Sequence, residues 1–383
     1  MPVQGRRHQR ARLLAPARRS GCLLARDAAG EALGILTLKV WRSFGPALLL
    51  ALAAAQLCLW LDTPLPWMIG PLLSTACACM LGARLGAPVQ AREAGQWAIG
   101  TTLGLYFSAP VLAVLARYAG WIVLAVAFAI LLGVAGGWML RRLSGTDGTT
   151  AFFAMAVGGA SEMAVQGERH GALVDRVAAA HSLRIMMVVV TIPFALRWWS
   201  THGNAPGHDL FVPLASVVSY PGLAVLVLLT SIGALLLKRL GIPNAWVIGP
   251  LMLAMMLTAS GIQLSRLPEW MVRGGQLLIG VSLGTRFTRT FVHTAPRYLA
   301  SVAACTVVML LLAAGFALAL AQLAGIHPGT AILASSPGGI AEMSLTARVL
   351  HLGVPIVTAF HVTRMVTVVL AIGPLFRLFD RLR

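Results

Sequence analysis

Gly158-Gly159-Ala160-Ser161-Glu162-Met163 and Gly338-Gly339-Ile340-Ala341-Glu342-Met343 are one phrase written twice, 180 residues apart. Each is followed at a constant distance by a His-x-x-Arg unit, His181-Ser182-Leu183-Arg184 and His361-Val362-Thr363-Arg364. A glutamate beside two glycines fits an apolar helix poorly, because the charge resists burial and the glycines weaken helix continuity. Its recurrence at one offset points to two related halves that build one site between them.

The duplication extends outward from that phrase. Trp67-Met68-Ile69-Gly70-Pro71-Leu72 returns as Trp246-Val247-Ile248-Gly249-Pro250-Leu251 at an offset of 179. Gly95-Gln96, Ile99-Gly100 and Leu103-Gly104 return as Gly275-Gln276, Ile279-Gly280 and Leu283-Gly284 at 180. The second half departs at Asn244-Ala245, where the first has Leu65-Pro66; no chemical consequence is expected from that change.

Composition identifies the solvent. The chain is 58% hydrophobic and only 11% charged, with a mean hydropathy of +0.82, against about 25% charged residues in soluble domains. Apolar runs fall at 44–61, 66–82, 94–115, 119–140, 149–166 and 173–198, then at 221–237, 245–262, 274–292, 299–323, 329–345 and 355–376. Such runs read as membrane segments, and they exclude an ordinary soluble domain. A net charge of +18 raises the question of nucleic acid. The excess, however, is concentrated in the first 42 residues and in short loops between apolar runs, which is how membrane orientation is encoded. No nucleic acid is expected as a partner. The five cysteines show no zinc-ligand spacing and no disulfide framework.

The loop arginines bear on orientation. Arg141 and Arg142 follow the fourth run, whereas the matching loop near Gly325–Gly329 has no Lys or Arg. Conversely, Lys238 and Arg239 follow the first run of the second half, where the first half offers only Asp62, and Arg286, Arg289 and Arg297 stand against Arg117 alone. Positive loops that change sides favour inverted repeats; parallel repeats with twelve crossings are the alternative. Inversion needs an odd number of crossings per half, so one of six segments must not cross. Pro66–Gly82 and Thr149–Gln166 are the candidates, and the paired glycines favour the second as a broken or re-entrant segment. Non-helical backbone at membrane depth survives only where it lines a protein-buried or wet cavity.

The chemistry is sought in the residues of the repeated phrase. An acid inside an apolar segment costs on the order of 2–4 kcal/mol on insertion scales and commonly marks an ion path or proton relay. Glu162 and Glu342 are therefore candidate coupling-ion or proton sites, the structural alternative being a pair with the arginine that follows. Gly158, Gly159, Gly338 and Gly339 are expected to break their helices and line the pathway. His181 and Arg184, like His361 and Arg364, share a helix face. That face either clamps an anion or locks free carbonyls near the break. No catalytic triad, metal cluster, phosphate loop or dinucleotide motif is present, and no metal or cofactor is expected.

The duplicated Pro66–Leu72 and Gly-Gly-x-x-Glu-Met motifs resemble the AbrB family of bacterial multi-pass membrane proteins, over about residues 44–380. Members have been labelled ammonia monooxygenases, which the lack of metal ligands here does not support, and others are associated with regulation of gene expression. The family is similar in design to the cation/anion transporter group with five-helix inverted repeats.

The expectation is an all-α polytopic membrane protein of two repeats, each with about five crossings plus a broken segment. Residues 1–42 are read as a basic disordered tail or an over-extended start, 43–199 as the first repeat, 200–220 as a linker and 221–383 as the second repeat. The expected partners are the lipid bilayer of the bacterial inner membrane and a small solute or ion, with a homodimer left open. The expected activity is secondary transport or export rather than an enzymatic reaction, with a membrane-embedded regulator as the rival.

Overall fold

The computed structural model describes residues 41–202, 217–289 and 296–381. The expected tail, apart from residues 41–42, and most of the expected linker lie outside those residues. Among the described residues the regular structure is all helical, and there is no strand.

The first repeat runs α1 (Trp41–Trp60), α2 (Pro66–Met80), α3 (Val89–Gly104), α4 (Ala109–Arg117), α5 (Ala119–Ser144), α6 (Gly148–Met155), α7 (Ala160–Arg169) and α8 (Val174–His202). The second runs α9 (Tyr220–Arg239), α10 (Ala245–Ala259), α11 (Glu269–Gly284), α12 (Pro296–Ala324), α13 (Pro328–Ser335), α14 (Ile340–Val349) and α15 (Val354–Arg381).

Six of these, α1, α5, α8, α9, α12 and α15, are long and apolar enough to cross a membrane. The 26 residues of α5 rise about 39 Å, more than the roughly 30 Å of hydrocarbon. By contrast α2 and α10 have 15 residues each and hold Pro71 and Pro250 inside the helix. The run 94–115, read as one segment, is two helices: α3 stops at Gly104, and α4 leaves it at 87°. Pro110 suits the restart, since it lies in the first turn of α4, where a missing N–H costs no helical hydrogen bond. The run 149–166 is also broken, between Met155 and Ala160, and its counterpart breaks between Ser335 and Ile340.

The helices sort into two groups. In the first, α2 and α3 pack on α10 and α11, and α1 joins through Ala47 and Ala51 beside Leu277 and Val281. The contacts are reciprocal: a Cβ on Gly100 would lie 2.3 Å from the Val247 carbonyl oxygen, and one on Gly280 would lie 2.6 Å from that of Met68. Gly100 matches Gly280 and Val247 matches Met68, so at this contact each repeat offers the other the same surface. Glycine is needed there because backbone meets backbone.

The second group contains α5, α6, α8, α12, α13 and α15, with Met155, Val302, Cys305 and Met309 in its core. Here too the halves repeat each other's bonds. Thr150 Oγ1 accepts from Leu173 N at 2.9 Å, and Thr330 Oγ1 accepts from Gly353 N at 3.0 Å. The breaks before α7 and α14 lie on the side of this group that faces the first.

Candidate functional site

When α6 ends at Met155, the chain turns extended at Ala156 and the carbonyls of the last turn lose their helical partners. Arg184 on α8 supplies them: Nη1 donates to Met155 O at 3.2 Å and Nη2 to Ala156 O at 3.1 Å. His181, one turn earlier, bonds Phe153 O through Nε2 at 2.9 Å and takes Arg184 Nη2 on Nδ1 at 2.9 Å. The second repeat builds the same device. Arg364 donates to Ser336 O and Gly338 O, both at 2.6 Å, while His361 joins Leu333 O at 2.9 Å and Arg364 at 2.8 Å.

This geometry assigns the tautomer. A carbonyl only accepts, so each Nε2 carries the hydrogen and each Nδ1 offers its lone pair to the guanidinium. A proton on Nδ1 would set one donor against another. Both histidines are thus fully engaged in holding the break, and so are the terminal nitrogens of both arginines. Among the described residues neither arginine reaches a glutamate.

Beyond each break a new helix starts. Gly159 and Gly339 are the N-caps of α7 and α14, which places Glu162 and Glu342 at the third helical position. Carboxylates there are favoured by the helix dipole and by exposed amides. Both side chains fold back over the preceding glycine: a Cβ on Gly159 would come within 1.8 Å of Glu162 Oε2, and one on Gly339 within 2.0 Å of Glu342 Oε2. A methyl on the second glycine of either pair would therefore have to displace the carboxylate. Glu162 Oε1 accepts from Ser161 Oγ at 3.2 Å, and its Oε2 is buried without a hydrogen-bond partner among the described residues. Glu342 is only 9% exposed.

Between the two helix groups lies a cavity of about 90 Å³, room for several waters or one compact solute. Gly158 and Gly159 border it from one repeat, and Gly338, Gly339 and Glu342 from the other; Arg184 and Ile185 of α8 reach it as well. Glu162, His181, His361 and Arg364 do not line it. The two breaks, 180 residues apart in the chain, thus open into one space.

Four further residues add polar side chains to the cavity wall. Arg92 and Gln96 come from α3, Asn244 from the cap of α10 and Arg286 from the turn after α11. Arg92, Arg286 and Glu342 lie close enough for each to feel the others' charge. Gln96 carried a signal in the duplicated Gly-Gln pair. In the sequence Arg286 counts as a loop charge that sets orientation, and Arg92 carries no signal. Asn244 stands where the first repeat has Leu65. Both residues adopt a left-handed backbone, with φ of 51° and 54°, but Asn244 brings an amide to the cavity, where its nitrogen reaches Met365 Sδ at 3.2 Å. Among the described residues no three His, Cys, Asp or Glu side chains gather as a metal site.

Residues 67–380 match the family model described as "Transition state regulatory protein AbrB". The chain is 28% identical over 343 residues to the "Uncharacterized protein YhjN" of Bacillus subtilis (strain 168), covering 82% of this chain and 88% of that protein. It is 26% identical over 317 residues to the "Putative regulator AbrB" of Escherichia coli (strain K12), covering 81% and 88% respectively.

Proposed function

The chain belongs to the AbrB family, and from that premise we propose that it is a multi-pass protein of the bacterial inner membrane that transports or exports a small solute. One observation carries the reading: two broken helices, one per repeat, open into a single cavity between two packed helix groups. Discontinuous helices meeting at a repeat interface are how secondary transporters form solute sites while satisfying their freed backbone groups. Here the His-Arg pairs of α8 and α15 provide that satisfaction. Large apolar side chains exposed on the outer helices, such as Leu49 and Trp60 on α1 and Leu228 and Ile232 on α9, suit contact with lipid.

In this reading the repeats are inverted about an axis in the membrane plane, and the group holding the broken helices moves against the other. Glu342, buried at the cavity, is the coupling site in the observed arrangement, and Glu162 takes that part when the cavity faces the other way. Arg184 and Arg364 keep the breaks open rather than bind the cargo. The test is flux into and out of proteoliposomes across a panel of small solutes, with Glu342→Gln and Glu162→Gln beside the unaltered chain. A flux that collapses in both variants supports the assignment. A flux unchanged in both refutes the glutamates, and no flux of any solute in folded protein refutes transport.

The names of the matched family and of the Escherichia coli relative favour a second reading, a membrane-embedded regulator of gene expression without transport. It needs an output segment, for which residues 1–42 are the candidate. If their deletion leaves the regulatory phenotype intact, this version fails.

A further inference from the structure

We infer that the cavity between the two helix groups is a binding site for a small organic carboxylate, held chiefly by Arg92 and Arg286. The inference deepens the transport reading by naming the cargo class; it rests on that reading for movement but not for binding.

Charge is the first argument. Three guanidinium groups, those of Arg92, Arg184 and Arg286, border the cavity against one carboxylate, Glu342. That leaves the wall with an excess of two positive charges. Arg92 and Arg286 are half-buried, and among the described residues neither makes a hydrogen bond or an ion pair within 4 Å. Arg184 is only 2% exposed, and its Nε has no hydrogen-bond partner. The guanidinium groups of Arg92 and Arg286, withdrawn from bulk water and left without such partners, call for an anion, and their paired donors match a carboxylate. Glu342 does not serve as that partner, because its carboxylate folds back onto its own helix start.

The second argument is the rest of the wall. Gln96 and Asn244 add side-chain amides, while Val247, Ile279 and Leu283 add an apolar face. A bare inorganic oxyanion has no use for that face, whereas a short aliphatic acid places its carboxylate on the arginines and its carbons on the valine, isoleucine and leucine. The starts of α7 and α14 at the cavity edge add positive dipole ends. The volume limits the ligand to a few heavy atoms, and the excess charge admits one or two carboxylates.

The test is binding to the purified full chain in detergent, read as a saturable rise in melting temperature. The probes are propionate, succinate, inorganic phosphate and propylammonium at matched ionic strength. Propionate or succinate should stabilise the chain while propylammonium does not. Arg92→Gln and Arg286→Gln should each weaken the effect by about tenfold or more, the loss expected of a charged hydrogen bond. Where a Gln variant does not fold, Arg286→Lys replaces it and should still lose affinity, since lysine lacks the paired donors. The inference is overturned if phosphate or the amine stabilises and the carboxylates do not, if no probe acts on a cooperatively melting chain, or if the variants bind as well as the parent. Carboxylate binding without flux would leave this site standing and remove transport. Flux of another solute without carboxylate binding would do the reverse.

Discussion

Helices α7 and α14 begin with the same Gly-Gly break and carry the same glutamate, yet they live in different surroundings. On α14 every residue from Ile340 to Ala347 is buried, and the helix packs on α3 and α8 of the other repeat besides α13 and α15 of its own. On α7 only Met163 and Gly167 are buried; its main partners are α6 and α8 of its own repeat. Ser161, Glu168 and Arg169 of α7 are exposed, and side chains of that polarity belong in water rather than lipid. Two copies of one motif thus occupy an open and a closed setting. The two copies differ in exposure although the packing of α3 on α10 is repeated by that of α11 on α2.

The comparison breaks most readily at the arginines that hold the breaks. Arg364→Met should lose roughly 3 kcal/mol or more of unfolding free energy in mixed micelles, since it strands two buried carbonyls and a histidine. Arg184→Met should lose about 2 kcal/mol, because Arg184 itself lines the cavity, which Arg364 does not, and water entering there replaces part of what is lost. Equal losses would mean that the two settings are equally dry.

The second glycines should separate next. Gly339→Ala puts a methyl against a buried carboxylate and is expected to cost about 1–3 kcal/mol. Gly159→Ala meets the end of a half-exposed side chain that swings aside, at under about 1 kcal/mol. Adding Glu342→Ala to Gly339→Ala should recover much of the loss in a thermal melt; failure to recover would mean that something other than the carboxylate excludes the methyl.

Accessibility sharpens the contrast directly. In a background with the native cysteines replaced by alanine, Ser161→Cys should react with a membrane-impermeant maleimide at least about tenfold faster than Ala341→Cys, the difference made by some 1.4 kcal/mol in opening. Similar rates would show that the open and closed settings exchange freely. The smallest effect is expected at Arg348, which pairs with Glu269 and ties the end of α14 to α11; α7 has Glu168 at the matching position. Arg348→Ala should lose only about 0.2–1 kcal/mol, as exposed pairs do, and a larger loss would make this contact the latch that keeps α14 closed.

Much of the fold was legible because membrane burial and backbone satisfaction leave marks in sequence. The long apolar runs at 119–140 and 299–323 became α5 and α12 with little adjustment, and the paired glycines located both breaks. The bend at Leu105–Ser108 was missed, since its flanks are as apolar as any crossing and proline at a helix start reads much like any other turn. Of the site, the repeated residues Gly158, Gly159, Gly338, Gly339 and Glu342 were found because duplication amplified them. Arg92 and Arg286 have no counterparts, Val272 and Tyr106 standing at the matching positions. Repetition therefore leaves no mark on either.

Sequence alone determined that the chain is a duplicated, helical membrane protein with a glutamate after a glycine break in each half. Tertiary structure decided which of these residues share a space and which charges go unpartnered there. Composition and periodicity are local properties that a run of residues carries wherever it is placed. The cavity is a contact between groups of helices far apart in the chain, and its asymmetry depends on how identical motifs are packed.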